Sequence, residues 1–168
     1  PRVDDFVIGR VVDIAMSGWT VDISAPYPAL LPLSETPAAR GMAPRKDLTR
    51  IFNIGDLVMA EVIAFDRTRD PLLTVRGRGL GKVSSGRVVH ISPAKIPRLI
   101  GRKGSMISML KKVTGCDIIV GQNGTVMVSG RQPKNEQTAV AAMFMIEREA
   151  HTRGLTDRVS EMMSRELR

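Results

Sequence analysis

The sequence has little of several residue types on which common classes of protein depend. A single cysteine among 168 residues excludes an intramolecular disulfide and a cysteine-rich zinc site. No apolar run approaches the roughly 18 residues that a membrane-spanning helix needs. The first residues, PRVDDFVIGR, lack the charged and then apolar pattern of a secretion signal. We therefore expect a cytoplasmic protein that has no membrane partner.

Groups for catalysis are also scarce. The two histidines, His90 and His151, have no partner at a spacing that nucleophilic or metal chemistry requires. Cys116 begins the strand-like segment CDIIV, which predicts a small buried residue. The sequence thus predicts a binding protein rather than an enzyme, with no catalytic residue, no metal site and no cofactor.

Positive charge is what the sequence has in excess. The formal net charge is +8 and the isoelectric point is about 10.4. Residues 1–80 are balanced, so residues 81–168 carry the whole excess, and the stretch between Asp70 and Asp117 holds ten cations and no carboxylate. Five of the six aromatic residues lie in the first half. We expect two domains that divide near residue 80, the second one suited to a polyanion such as nucleic acid.

The first half alternates apolar and polar residues in short segments, which is typical of strands. The predicted strands are FVIGRVVDIAM, GWTVDIS, YPALLPL, DLVMAEVIAFD and PLLTVRG, with a loop at TPAARGMAPR and a short helix at RKDLTRIF before the fourth strand. Five strands with this helix placement predict an all-β OB-fold barrel for residues 1–80, although composition alone would allow another small barrel. The glycine-rich GRGLGKVSSG that follows predicts a flexible interdomain linker.

The segments GRVVDI, GWTVDIS, ALLPLSE and NIGDLVMAEVIAFD resemble the RNA-binding OB-fold first described as a repeat in ribosomal protein S-one. The resemblance implies that aromatic residues on the second and third strands stack bases and that cations on the sheet meet phosphates. Trp19 and Tyr27 are the stacking candidates, and Arg76 is the candidate cation. Packing of either ring against protein is the alternative. Pro32 stands where many members carry histidine, so one expected RNA contact is absent.

The second half has the element order of a type-one KH domain, an α+β fold, over residues 81–168. A strand (GRVVHIS) precedes two helices (PAKIPRLI and SMISMLKKVTG), a hairpin and a long third helix. Ser105 is a predicted N-cap, Gly115 a predicted helix end, and Asn123-Gly124 a predicted two-residue turn. The final segment, GLTDRVSEMMSRELR, has an apolar helical stripe that we expect to pack on the body of the protein, with Thr156 as a possible cap.

Between the two predicted helices lies the sequence Gly101-Arg102-Lys103-Gly104. Glycine lets a backbone approach a nucleic-acid strand closely and adopt unusual φ/ψ values. Cations and the amides that open the next helix favour phosphate. This pattern resembles the G-x-x-G loop of KH domains, which holds about four nucleotides by their backbone. The alternative is a glycine that ends a helix and is followed by a basic turn. A second G-x-x-G pattern, at residues 121–124, falls between two predicted strands and is interpreted as a structural turn.

Two further groups complete the predicted RNA site. Ile96 and Ile100 are expected to form an apolar floor for bases. Four cations are expected to add salt-dependent long-range attraction, although at least two of them should be only solvated: Lys95, Arg98, Lys111 and Lys112.

The order of the two domains resembles the archaeal exosome RNA-binding cap subunit of the ribosomal-RNA-processing type. The resemblance implies a non-catalytic subunit, three copies of which sit on a hexameric ring of phosphorolytic exoribonuclease subunits. Such a subunit captures single-stranded RNA and feeds it to the ring for degradation from the 3′ end. Family members also have an N-terminal β domain, which we expect to be missing here. The alternatives are a transcription elongation or antitermination factor and a free RNA chaperone.

Overall fold

The computed structural model describes residues 2–37, 48–66, 68–83, 86–149 and 154–167. The chain forms two compact units. The first comprises Pro1–Ser84 together with Gly121–Thr125, and the second comprises Ser85–Val120 and Val126–Arg168. From residue 38 onward the predicted loop TPAARGMAPR lies outside the described residues, as does His151.

The first unit is built around a closed barrel. Its strands pair in the order β1-β2-β3-β5-β4, and β4 also pairs with β1, which closes the sheet on itself. The β3–β5 pairing is parallel and the other pairings are antiparallel. This confirms the predicted five-stranded OB-type barrel. The elements are β1 (Phe6–Ala15), β2 (Gly18–Asp22), β3 (Ala29–Pro32), α1 (Leu48–Ile51), β4 (Leu57–Asp66), β5 (Arg69–Thr74) and a short β6 (Gly81–Lys82).

The interior of the barrel follows the two-residue period of its strands. In β4, Val58, Ala60 and Val62 are fully buried, while the intervening residues are partly or fully exposed. Leu48 and Phe52, from the helical segment before β4, belong to the same core. Burying each of the valine, leucine and phenylalanine side chains contributes on the order of 1.5–3 kcal/mol. The alternation visible in the sequence therefore fixes which face of each strand is available to a ligand.

The segment after β5 is not wholly the flexible linker that its glycines predicted. Residues Gly81–Lys82 form β6, which pairs with β4 through Val58 and Met59. The N–H of Val83 also donates to the carbonyl of Leu57 at 2.8 Å. The physical reason is that β4 has 10 residues and β5 only 6, so the first part of β4 offers an edge for further pairing.

The turn Gly121–Thr125 belongs to the first unit. The Asn123 amide nitrogen donates to the carbonyls of Ile8 (2.9 Å) and Ile23 (2.7 Å), and its oxygen accepts from the N–H of Ile8 at 3.2 Å. Gln122 adds two hydrogen bonds with the backbone of Phe6. The structural interpretation of this G-x-x-G pattern therefore agrees with the structure. The predicted length of the turn was wrong, because four residues rather than two separate β8 (Asp117–Val120) and β9 (Thr125–Ser129).

The second unit has the predicted type-one KH order. Its sheet order is β7-β9-β8, with β8 and β9 antiparallel. A single 3-10 turn, Pro93–Lys95, precedes α2, and the proline at the start of α2 accounts for its short length. The elements are β7 (Arg87–His90), α2 (Ile96–Ile100), α3 (Ser105–Thr114), β8 (Asp117–Val120), β9 (Thr125–Ser129), α4 (Pro133–Arg148) and α5 (Leu155–Glu166).

The last helix packs on this unit, as its apolar stripe predicted. Leu155, Val159 and Met163 are at most 1% exposed and join one core with residues of the sheet and the other helices. Gly154, in a left-handed conformation, occupies the N-cap position that was suggested for Thr156. None of the helices in the described ranges has the length and apolar character to cross a bilayer.

Replacing Asn123 with alanine should destabilise the protein by about 2–4 kcal/mol. The change removes four hydrogen bonds and leaves the carbonyls of the buried Ile8 and Ile23 without this partner. Thermal unfolding followed by circular dichroism measures the effect. Asn53→Ala, which removes an exposed amide whose oxygen accepts from the N–H of its neighbour Ile54, is the matched control and should change stability by less than about 1 kcal/mol. Equal effects of the two changes would contradict this role.

Candidate nucleic-acid interface

The residues 101–104 form a tight loop between α2 and α3. The N–H of Gly101 ends α2 by donating to the carbonyl of Pro97 at 2.9 Å. Residues Arg102–Gly104 then make one 3-10 turn, closed by the N–H of Gly104 on the carbonyl of Gly101 at 3.2 Å. Helix α3 starts at Ser105, which is itself helical, so the N-cap position belongs to Gly104 and not to Ser105. The loop is thus short, backbone-closed and immediately followed by a helix N-terminus.

Both glycines of this loop are required by their conformation. Gly101 has φ +77° and Gly104 has φ +76°, values that side chains with a Cβ rarely adopt. At Gly101 a Cβ would also lie 2.7 Å from the backbone nitrogen of Met106. At Gly104 the nearest atom would be 3.9 Å away, on Ile107. Glycine is therefore required at 101 both by its positive φ and by the close packing of the loop on α3, whereas at 104 it is required by its left-handed backbone alone.

Lys103 shares the left-handed conformation, with φ +53° and ψ +30°. For a residue with a Cβ this conformation costs on the order of 1 kcal/mol and is maintained by its surroundings. Arg102 and Lys103 are both exposed, and the structure gives neither side chain an ion pair or hydrogen bond with any described residue. The first turn of α3 contains no acidic residue. The loop therefore presents two cations beside a helix N-terminus, which is an arrangement that attracts phosphate.

The apolar floor predicted beside the loop needs one correction. Ile96 is only 3% exposed and packs in the core of the second unit, so no base can reach it. Ile100 is half-buried and remains available. Ile107, also half-buried and next to Gly104, was not predicted. Its position, one turn into α3 from the second glycine, is the signal that could have identified it.

The remaining predicted cations lie on the same unit as the loop. Arg98, Lys111 and Lys112 are exposed, and Lys95 is half-buried. Lys111 and Lys112 occupy the last turn of α3, where positive charge also complements the helix dipole. A contribution to RNA binding from these four cations stays a prediction.

The prediction that Trp19 stacks a base is wrong. Its side chain is 2% exposed, its indole N–H donates to the carbonyl of Phe52 at 2.9 Å, and its ring meets that of Phe52 edge-on at 5.1 Å. A base needs an exposed ring face, and Trp19 has none. The sequence held the signal, because Trp19 shares its strand parity with the apolar Val21 and Ile23.

Tyr27, unlike Trp19, is exposed, with 56% of its surface accessible to solvent. It lines an open pocket of about 650 Å³ on the barrel unit, and its base-stacking role stays a prediction. Arg76 is exposed but lies beyond the end of β5, so it is not a cation of the strand itself. The remaining lining residues of the pocket were not foreseen from sequence: Phe65, Asp66, Thr68, Arg69 and Asp70.

One carboxylate of this pocket organises the turn between β4 and β5. The hydroxyl of Thr68 donates to the Asp66 carboxylate, and so does the backbone N–H of Thr68. These two hydrogen bonds, in that order, hold the pKa of the Asp66 carboxyl below its ordinary value of 3.8, and the charge of Arg69 lowers it by a smaller amount. The Arg69 guanidinium lies 3.4 Å from the second carboxylate oxygen. Asp66 is therefore already engaged within the turn.

Across the part of the chain that the structure describes, no three side chains of histidine, cysteine, aspartate or glutamate are gathered closely enough to hold an ion. Cys116 is buried. What the geometry offers is a backbone loop with cations on one unit and a pocket with an exposed ring on the other.

The fold and the loop define a class of protein: an S-one-type barrel followed by a KH domain. Residues 1–64 match the family described as "RRP4, S1 domain", and residues 86–134 match the KH domain family. The chain belongs to the family of Rrp4 exosome components, which confirms the resemblance inferred from the sequence.

The relatives support this membership over the whole chain. The protein named exosome complex component Rrp4 of Thermofilum pendens is 46% identical over 168 residues, which are 100% of this chain and 71% of the relative. The protein of the same name from Thermococcus kodakarensis is 46% identical over 170 residues, covering 100% of this chain and 66% of the relative. A crystal structure described as an exosome complex RNA-binding protein matches with a TM-score of 0.92 at 41% identity, over 99% of this chain and 95% of that one.

Alanine at Gly101 should disrupt the loop more than alanine at Gly104. Both changes meet a positive φ, but only the first places a Cβ against the backbone of α3. We expect Gly104→Ala to cost about 1 kcal/mol of stability and Gly101→Ala to cost about 2–3 kcal/mol. Urea unfolding measures both. A larger loss for Gly104→Ala would show that the close contact at Gly101 is not the constraint.

Trp19→Phe should lower stability but leave RNA affinity unchanged. The smaller ring loses the hydrogen bond to Phe52 and leaves a cavity, for a total cost of about 1–3 kcal/mol. Thermal unfolding and fluorescence anisotropy with labelled single-stranded RNA measure the two properties separately. A folded Trp19→Phe protein with clearly weaker RNA binding would restore a direct role for this ring.

Proposed function

We propose that this chain is a non-catalytic RNA-binding subunit of an exosome. It captures single-stranded RNA and feeds it to a ring of 3′-to-5′ phosphorolytic exoribonuclease subunits. The observation that carries the proposal is the loop 101–104, in which two glycines with positive φ flank two exposed cations at the start of α3. Membership of the Rrp4 family supports the assembly, since the relatives are named exosome components.

The loop is suited to the backbone of an RNA strand. Gly101 and Gly104 present no side chain, so an RNA strand can approach the backbone of the loop closely. Arg102 and Lys103 add charge that acts on phosphate regardless of the base attached. A subunit that feeds a nuclease must accept many sequences, and backbone contacts of this kind meet that need.

The charge of the second half supports the same role. The stretch between Asp70 and Asp117 contains ten cations and no carboxylate, and four of these cations lie on α2 and α3 or beside them, outside the loop. Such a surface raises the local concentration of a polyanion and speeds its association. Capture would begin with this long-range attraction and end with the strand held at the loop, with Ile100 and Ile107 as the half-buried apolar residues nearest to its bases.

The ring would supply the chemistry in this proposal. The scarcity of histidine and cysteine in the sequence is consistent with a subunit that binds RNA without cleaving it. By analogy with the family, three copies would sit on a hexameric ring in the cytoplasm. Affinity purification of the full-length protein from its native lysate tests this assembly. Recovery of phosphorolytic nuclease subunits in a stable complex is the expected result, and a monomer alone would contradict it.

Reversing the charge of the loop should weaken RNA binding and its dependence on salt. For the double variant Arg102→Asp and Lys103→Asp we expect at least a roughly tenfold loss of affinity for single-stranded RNA. The slope of log affinity against log salt should flatten by about 1.5, because two phosphate contacts are removed. Fluorescence anisotropy between low and high salt measures both quantities.

The matched control reverses two other exposed cations of the same unit, Arg131 and Lys134, at the start of α4. Aspartate is well tolerated near a helix N-terminus, so this variant should fold. It should retain most of the affinity. An equal loss in both double variants would mean that net charge alone binds the RNA and that the loop makes no specific contact.

A further inference from the structure

The pocket beside Tyr27 has a chemistry that the loop 101–104 lacks. Its volume of about 650 Å³ lies within the range of small-ligand pockets. Tyr27 is exposed and Phe65 is half-buried, so the pocket offers aromatic surface. Aromatic faces of this kind stack nucleobases in proteins that bind single strands.

The pocket has charged groups of both signs. Among its lining residues that the structure describes, Asp66 and Asp70 are carboxylates and Arg69 is a cation. Asp66 is engaged by Thr68 and lies 3.4 Å from Arg69. Asp70 is half-buried and makes no hydrogen bond or ion pair with the residues that the structure describes. A half-buried carboxylate without a hydrogen-bond partner favours a ligand group that donates hydrogen bonds.

We propose that this pocket binds a single base of the RNA strand, with Tyr27 stacking on the ring and Asp70 accepting its N–H donors, and that it prefers guanine to uracil. The inference rests on the proposed RNA-binding function and adds a specificity-determining residue to it. Arg69, whose side chain is 61% exposed, offers a cation for the adjoining phosphate.

The preference follows from the donor pattern of the bases. Guanine carries two neighbouring donors, N1–H and the N2 amino group, which match the two oxygens of a carboxylate. Adenine and cytosine offer one amino group each. Uracil has a single N–H between two carbonyl oxygens, and those oxygens are repelled by a carboxylate. Asp70 should therefore rank the bases with guanine first and uracil last.

Tyr27 is the only tyrosine of the chain, so incorporation of 3-fluorotyrosine gives one 19F resonance at the site itself. The probes are a pentamer of uridine and the same pentamer with one central guanosine. We expect the Tyr27 resonance to shift with both pentamers. The shift should saturate at a concentration of the guanosine pentamer that is at least roughly fivefold lower than that of the uridine pentamer. The variant Asp70→Asn should reduce this ratio to about one, because an amide both donates and accepts.

Glu61→Gln is the matched control. It removes the same charge from an exposed position of β4 that does not line the pocket, and it should leave the guanosine preference intact. Unfolding curves of Asp70→Asn establish that the variant is folded. The preference must also survive in the double variant Arg102→Asp and Lys103→Asp, even though total RNA affinity falls.

The outcomes separate the two proposals. Equal responses to the two pentamers, or a preference that persists in Asp70→Asn, would overturn the base pocket while leaving the loop untouched. Absence of RNA binding by every variant would overturn the proposed function and the pocket with it. A shift of the Tyr27 resonance with argininamide but with neither pentamer would assign the pocket to a cationic side chain of a protein partner, against the proposal.

Discussion

The close approach of Gly101 to α3 is the constraint on which the candidate RNA site depends. A Cβ at this residue would meet the backbone nitrogen of Met106 at 2.7 Å, so α2 must end and α3 must begin within a very short distance. Met106 is buried in the core, which fixes that distance from the inside. The turn of residues 102–104 can then close only through left-handed backbone at Lys103 and Gly104. The two exposed cations are thereby held at the start of α3 by packing beneath them.

The barrel obeys a different constraint, that of closure. Pairing of β4 with β1 leaves no free edge in the five-stranded ring, and β6 covers the part of β4 that extends past β5. Asn123 completes the first unit by bonding backbone groups of Ile8 and Ile23. The lining of the pocket on this unit comes from Tyr27, outside the paired strands, and from the residues at and beside the turn between β4 and β5.

Local sequence patterns predicted the elements well because their periods are strong. Alternation located every strand of the barrel, and the glycines at 101, 104 and 115 correctly marked loop and helix ends. The errors concern which side of an element a residue occupies. The resemblance made Trp19 a base-stacking candidate, with packing against protein as the alternative, and its parity with Val21 and Ile23 places it inside. Ile96 was predicted to form part of the apolar floor for bases, but it packs in the core of the second unit.

Two features of the structure could not be predicted from the sequence. The hydrogen bonds of Asn123 to Ile8 and Ile23 join residues at least 100 positions apart, and no local pattern encodes such a pairing. The pocket beside Tyr27 gathers residues from two separated segments, and only the folded barrel brings them together. Loop geometry follows from local sequence, whereas a pocket depends on the closed sheet.

The central claim is that the loop 101–104 holds RNA by its backbone. Amide chemical shifts of the 15N-labelled protein, recorded during titration with several single-stranded RNAs of unrelated sequence, test it most directly. We expect every RNA, whatever its sequence, to shift the amides of residues 101–105 most strongly within the second unit. Shifts that leave these amides unchanged while RNA binds elsewhere would contradict it.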